Sequence, residues 1–288
     1  MLSRFFAALA LLLSLLAGGM SAARADGYTI PGTRVLPLPT APNGIDYELY
    51  LRVPEACTPQ TPCPVLYMLD AEYAFGLSAL IAEHLEARGR LRPVILVGIA
   101  YQDKTRYRAN RTRDYTPVFV AEGGYGPDYQ AQSGGGPAFL DVIANTIIPE
   151  VENRFPADPA ARGLMGHSYG GLFATFAMLD RPDLFADFII VSPSYWYQEG
   201  RFIPGLAAAH DAPRPHETDA YFAVGSWEEQ PENGRAMVSD LQRFVAGLEA
   251  REDPRLNTLL EVMESQSHAS IFPLALSNGL RALYGPVP

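Results

Sequence analysis

A serine framed by glycines is the first feature of this chain with chemical content. Residues 163–176 read GLMGHSYGGLFATF, and Gly166-His167-Ser168-Tyr169-Gly170 fits the G-x-S-x-G pattern. In that pattern a serine occupies a sharp strand-to-helix turn that pushes its hydroxyl out at the strand's end. The flanks agree, since ARGLMG reads as strand and GLFATFAMLDRP as helix. Gly166, Gly170 and Gly171 suit a turn too tight for bulky neighbours. The helix N-terminus aims backbone N–H groups at a developing negative charge. Ser168 is thus the candidate nucleophile, and the N–H of Tyr169 a candidate oxyanion donor.

A hydroxyl attacks poorly unless a base takes its proton. Five histidines are available. His84 falls in a helical pattern and reads as surface, while His210 and His216 sit in the proline-rich HDAPRPHE and read as solvated. His167 adjoins the serine, but neighbouring side chains diverge at such a turn, so it reads as packing. His268, in EVMESQSHASIFPLAL, follows the last strand pattern and precedes the last helix pattern. That places it at the same sheet edge as Ser168, in the order Ser…acid…His, and makes it the candidate base.

The acid is expected after the strand DAYFAVG, where SWEEQPE offers Glu228, Glu229 and Glu232. Glu228 is the first choice and Glu229 the second; a Ser-His dyad with three solvated acids is the alternative. A second oxyanion N–H is expected from the loop after VLYMLD, at Ala71 or Glu72.

The elements that must position these residues alternate along the chain. IDYELYLRVP, CPVLYMLD, RPVILVGIAY, FADFIIVSPS and NTLLEVME read as further strands. LSALIAEHLEARGR, FLDVIANTIIPEVENRF, GRAMVSDLQRFVAGLEARE and FPLALSNGLRALYG read as helices, with Pro149 a candidate kink. Strands alternating with helices predict an α/β fold, a mainly parallel, doubly covered sheet in a single domain. Ligands bind such sheets at the carboxyl ends of the strands. Residues 101–137 and 198–218 break the alternation and read as long loops at that edge.

The N-terminus reads as a leader. Arg4, the apolar run FFAALALLLSLLAGGM and the Ala23-Arg24-Ala25 site predict a signal peptide over 1–25 and a mature domain over 26–288. The expected location is outside the cytoplasm, periplasmic or secreted, with no stable membrane insertion after cleavage. The leader holds two of the 22 basic residues and none of the 32 acids, so its loss takes the net charge from −10 to −12. That balance excludes a nucleic-acid partner. The two cysteines, Cys57 and Cys63 in CTPQTPC, predict one small-loop disulfide rather than a metal site.

With these motifs in place the chain resembles the esterase D-like esterases of the α/β-hydrolase superfamily. The resemblance rests on PVLYMLDAEYAF, RTRDYTP, LMGHSYGGLFATFAMLDRPDLFADFIIVSPSYWY, YFAVGSWEE and SHASIFPLALSNGLRALY. Within that family it is similar to bacterial siderophore esterases acting on enterobactin- and salmochelin-type trilactones. The resemblance implies Ser168 as nucleophile and His268 as base, and an exported member type described as a Ser-His dyad keeps that option open. Family members often carry glycine where Ala71 stands. No cofactor is implied; iron would arrive within the small-molecule ester.

TRYRANRTRDY gathers Arg106, Arg108, Arg111 and Arg113 in an otherwise acidic chain. Arginine forks bind carboxylates and catecholate-type oxygens and stack on rings, so these four are candidate substrate contacts, against the alternative of a loop paired to surplus acids. Tyr195, Trp196, Tyr197 and Trp227 are candidate aromatic walls, Trp196 foremost; core packing is the other reading. Alternatives to a siderophore esterase are a general carboxylesterase for acetyl or feruloyl esters, and a catalytically silent binding protein on the same fold.

Overall fold

The computed structural model describes residues 29–200, 214–233 and 235–286. The candidate leader and most of the 198–218 segment, including His210, lie outside them.

Three strand patterns that are apolar throughout become the middle of the sheet. CPVLYM (β3, Cys63–Met68), ILVGIAY (β4, Ile95–Tyr101) and DFIIV (β6, Asp187–Val191) are buried at every residue, as strands covered on both faces must be. They join β1 (Thr33–Pro37), β2 (Tyr47–Arg52), β5 (Ala157–His167), β7 (Thr218–Gly225) and β10 (Leu256–Met263) in one eight-stranded sheet. Its order is β1-β2-β4-β3-β5-β6-β7-β10. The pairs β4-β3-β5-β6-β7-β10 are parallel, and only β1-β2 and β2-β4 are antiparallel.

Successive residues of each strand feed opposite cores. Val65 and Tyr67 face one core and Leu66 and Met68 the other. Helices α1 (Ala71–Glu86) and α8 (Ile271–Tyr284) cover the second face. On the first pack α2 (Tyr107–Tyr115), α4 (Gly136–Val142), α5 (Ile148–Arg154), α6 (Tyr169–Asp180) and α7 (Met237–Glu249), while α3 (Pro127–Gln130) is a single turn. A two-residue ribbon pairs β8 (Glu229–Gln230) with β9 (Arg235–Ala236).

The expected parallel, doubly covered sheet is present, with local differences. Helix α1 begins at Ala71, ahead of the predicted LSALIAEHLEARGR, because AEYAFG is also helical. Ala71 and Glu72, expected in a loop, therefore form its first turn. The 101–137 segment is not simply loop: its arginines lie on α2, where buried ion pairs rather than an apolar stripe hold the helix. At Pro149, the candidate kink, the regular α-helical bonding is interrupted. The chain passes through a π-helical turn at Ile143–Ile147 just before it. Proline lacks an N–H and crowds the carbonyl four residues back, and a wider turn relieves both. Cys57 and Cys63 are disulfide-bonded, with Cα atoms 5.5 Å apart.

Candidate active site

β5 delivers Ser168 to the carboxyl edge of the sheet, and α6 starts at the next residue. The serine has φ 63° and ψ −118°, a strained conformation for a residue with a side chain. Its neighbours hold it there. Ser168 N–H donates to Val191 O at 3.0 Å, and its carbonyl accepts from Leu172 N at 2.9 Å and Ser194 N at 3.1 Å. Gly166 is demanded by the turn, since a Cβ there would stand 2.1 Å from Gly170 O. A Cβ on Gly171 would stand 3.0 Å from Pro193 Cα and Val191 O. Gly170 has more room, since a Cβ there would first meet Asp70 Oδ2, at 3.3 Å.

β7 and β10 run side by side with Gly225 opposite Met263, so the segments leaving them start as neighbours. A Cβ on Gly225 would lie 2.2 Å from Gln266 O, and this close approach lets the two segments pack. One carries Glu228 and the other His268. Glu228 Oε2 lies 2.5 Å from His268 Nδ1. Its Oε1 accepts from Ser192 Oγ at 2.7 Å and Gly225 N at 2.8 Å. Glu228 is 4 % exposed. Burial pushes its carboxyl up, but the hydrogen bonds from His268 and Ser192 and the charge of His268 outweigh it and hold the group below its ordinary value.

The other two acids go elsewhere. Glu229 accepts from Val238 N and Ser239 N, both at 3.0 Å, and from Ser239 Oγ, and so caps α7. Glu232 is exposed in a short 3-10 turn.

Ser168, Tyr169, Glu228 and His268 line one cavity of about 380 Å³, with Arg111, Tyr125, Trp196, Trp227 and Arg235 among its other walls. Ser168 Oγ hydrogen-bonds to Ser194 Oγ at 3.4 Å, and no bond to His268 occurs among the described residues. Such bonds commonly tighten only when substrate is bound. Ala71 is buried and, like Glu72, is not among the cavity-lining residues. Both nonetheless sit in the first turn of α1, at the end of β3, where N–H groups lack intrahelical partners. The Asp70 N–H is already taken, by Tyr115 Oη at 2.9 Å.

Of the four arginines, two follow the alternative reading and pair with acids. Arg111 is buried and makes a two-pronged bond to Asp70, Nε to Oδ1 at 2.6 Å and Nη2 to Oδ2 at 2.9 Å. It touches the cavity, but its fork is occupied. Arg113 likewise pairs with Asp114, at 2.8 Å. Arg106 is exposed, and Arg108 lies over the Tyr125 ring at 5.8 Å. The cation missed in the sequence is Arg235, 5.2 Å over the Trp196 ring and lining the cavity. It lay inside a predicted helix, and only its nearness to the acid-bearing segment could have flagged it. Trp196 and Trp227 are cavity walls, whereas Tyr195 and Tyr197 are buried, bonded to Thr175 Oγ1 and Val118 O. His167, read as packing, makes polar contacts to Tyr73 and His268.

The sequence profile of the Esterase family, described as "Putative esterase", matches residues 42–248. The chain belongs to this family. Among curated Esterase relatives, it is 25% identical over 270 residues to the ferri-bacillibactin esterase BesA of Bacillus subtilis, covering 91% of this chain and 92% of that one. It is 32% identical over 227 residues to the siderophore enterobactin esterase of Emericella nidulans, covering 71% of each. In fold it is similar to the siderophore hydrolase EstB from Aspergillus nidulans, with a TM-score of 0.77, 25% identity, and coverage of 91% and 99%. As a member of the Esterase family the chain is an ester hydrolase.

Proposed function

We propose that this protein is an exported serine esterase that hydrolyses siderophore esters through an acyl-enzyme. The observation that carries the reading is the buried Glu228 carboxylate on His268 Nδ1, within one cavity shared with Ser168. A carboxylate there fixes the imidazole with its proton on Nδ1 and leaves Nε2 free to act as base.

Ser168 Oγ attacks the ester carbonyl as His268 Nε2 takes its proton. The oxyanion that forms is held by the N–H of Tyr169, at the start of α6, and by that of Ala71 or Glu72, at the start of α1. Collapse breaks the C–O bond, and His268 returns the proton to the departing alkoxide. A water, deprotonated by His268, then attacks the acyl-enzyme and releases the acid and Ser168. Glu228 stays ionised and stabilises the imidazolium in both halves.

The siderophore assignment is supported by the names of the relatives and by the cavity walls. Trp196, Trp227 and Tyr125 offer ring faces, and Arg235 places a cation beside Trp196, a combination suited to an aromatic, anionic acyl arm. Iron belongs to the substrate in this reading. Export is supported by the Cys57–Cys63 disulfide, which persists in oxidising compartments.

Ser168→Ala should abolish hydrolysis of both an iron-loaded trilactone and p-nitrophenyl butyrate while leaving the fold intact. A fluorophosphonate should label Ser168 of the wild type, and absence of label would point to a silent binding protein. A preference for the butyrate ester would favour a general carboxylesterase.

A further inference from the structure

We infer that His167 is a positioning residue for His268: its imidazole tethers the backbone of the His268 loop and so keeps that ring between Glu228 and Ser168. This rests on the serine-esterase reading above and adds a residue to it.

His167 Nε2 lies 2.9 Å from the His268 carbonyl oxygen. A carbonyl only accepts, so Nε2 carries the proton and, in the neutral ring, Nδ1 presents its lone pair. Tyr73 Oη stands 3.2 Å from that Nδ1 and also 3.2 Å from Asp70 Oδ2. Asp70 is gripped by Arg111, whose Nη2 donates to the His167 carbonyl at 3.1 Å. His167 is therefore fixed by both its ring and its backbone, on the central strand β5 that also carries the nucleophile.

The loop it holds needs such a support. Residues 264–270 connect β10 to α8, and the His268 side chain is 43% exposed. Gln266 O is held by Trp227 N at 3.1 Å and Ser267 O by Ile271 N at 3.1 Å. The next carbonyl along the loop, that of His268, is held by His167. The two imidazoles also pack together, tilted by 35° with centroids 4.6 Å apart, and Phe272 packs on His167 at 5.5 Å.

A tether of this kind must keep its proton in place and must not become charged beside an imidazolium. The groups facing His167 are His268, Arg111, Glu228, Asp70 and Tyr73. Burial first, then His268 and Arg111, lower the His167 pKa to about 3. It is neutral wherever the enzyme would work, so no second cation opposes protonation of His268 during catalysis.

The test compares two amides. Glutamine carries its Nε2 donor about as far from the backbone as histidine carries Nε2, whereas asparagine stops at the depth of Nδ1. His167→Asn should lower kcat about ten- to a hundredfold on p-nitrophenyl butyrate, the scale of a misplaced catalytic group, with KM little changed. The downfield proton resonance of the His268–Glu228 hydrogen bond should shift or broaden with it. His167→Gln should restore most of kcat and the resonance. Tyr73→Phe, which removes the hydroxyl set between His167 Nδ1 and Asp70 Oδ2, should move the same resonance in a folded protein. Equal kcat values in the Gln and Asn variants, or a resonance unmoved in both His167→Asn and Tyr73→Phe, would overturn the inference. Fluorophosphonate labelling of wild-type Ser168 reports on the esterase reading separately.

Discussion

Glu228 Oε2 and His268 Nδ1 are 2.5 Å apart although the residues are separated by forty positions in the chain. Glu229, the next residue, instead caps α7 through Val238 and Ser239. The two glutamates therefore predict opposite phenotypes. Glu228→Gln should lower kcat by about 10³–10⁴-fold, since an amide donor facing Nδ1 favours the wrong tautomer. Glu229→Gln should retain most turnover and lose about 1 kcal/mol of stability, the scale of a helix cap. Steady-state kinetics and urea melts on both variants check the pair.

Arg111 is expected to matter for stability first. Arg111→Met leaves the buried Asp70 carboxyl without its guanidinium partner, which should cost roughly 3–5 kcal/mol in denaturant unfolding. Arg235→Ala removes an exposed cation and should leave the unfolding midpoint nearly unchanged. Its effect should appear as a drop of about fivefold in kcat/KM for an iron-loaded trilactone relative to p-nitrophenyl butyrate, the scale of one cation–π contact. Equal effects on the two esters would remove Arg235 from substrate recognition.

Two glycines give a contrast in steric tolerance. Gly225→Ala would drive a Cβ to within 2.2 Å of Gln266 O and displace the segment that carries His268. Turnover should fall about a hundredfold, as a displacement near 1 Å can cause. Gly247, exposed inside α7, has nothing within 4 Å of an added Cβ. Gly247→Ala should stabilise the protein by about 0.5–1 kcal/mol without touching activity. Thermal melts and ester hydrolysis measure both.

Asp187, at the start of β6, is 8% exposed. Burial, reinforced by Asp219, raises its carboxyl from 3.8 to about 6. The folded chain thus holds a proton that the unfolded chain releases. The stabilising contribution is complete below the unfolded value and is lost as pH rises through about 6. Asp187→Asn should therefore be neutral near pH 4 and stabilise by on the order of 2–3 kcal/mol at pH 7.5. Denaturant unfolding at those two pH values decides it; a gain confined to acid pH would contradict the assigned burial.

The strand–helix alternation, the parallel sheet, the elbow at Ser168 and the placement of His268 at the same edge were legible because each is written locally. Apolar runs that are buried on both faces, glycines at a tight turn and helical spacing all depend on near neighbours in the chain. Which acid reaches His268 was not legible, since Glu228 and Glu229 differ only in the direction a turn gives them, and Gly225 against Gln266 sets that turn. The arginines of α2 could not be assigned from their spacing either. Asp70, which occupies Arg111, meets it only through the packing of α2 against the end of β3, and Asp114, although next in sequence to Arg113, is locked in place by Tyr47 of β2. Arg235 over Trp196 and His167 against His268 are likewise contacts between segments far apart in sequence. A one-dimensional pattern records which face a residue occupies, but pairing across the sheet edge depends on how strand ends and loops pack together, and only the tertiary structure decides that.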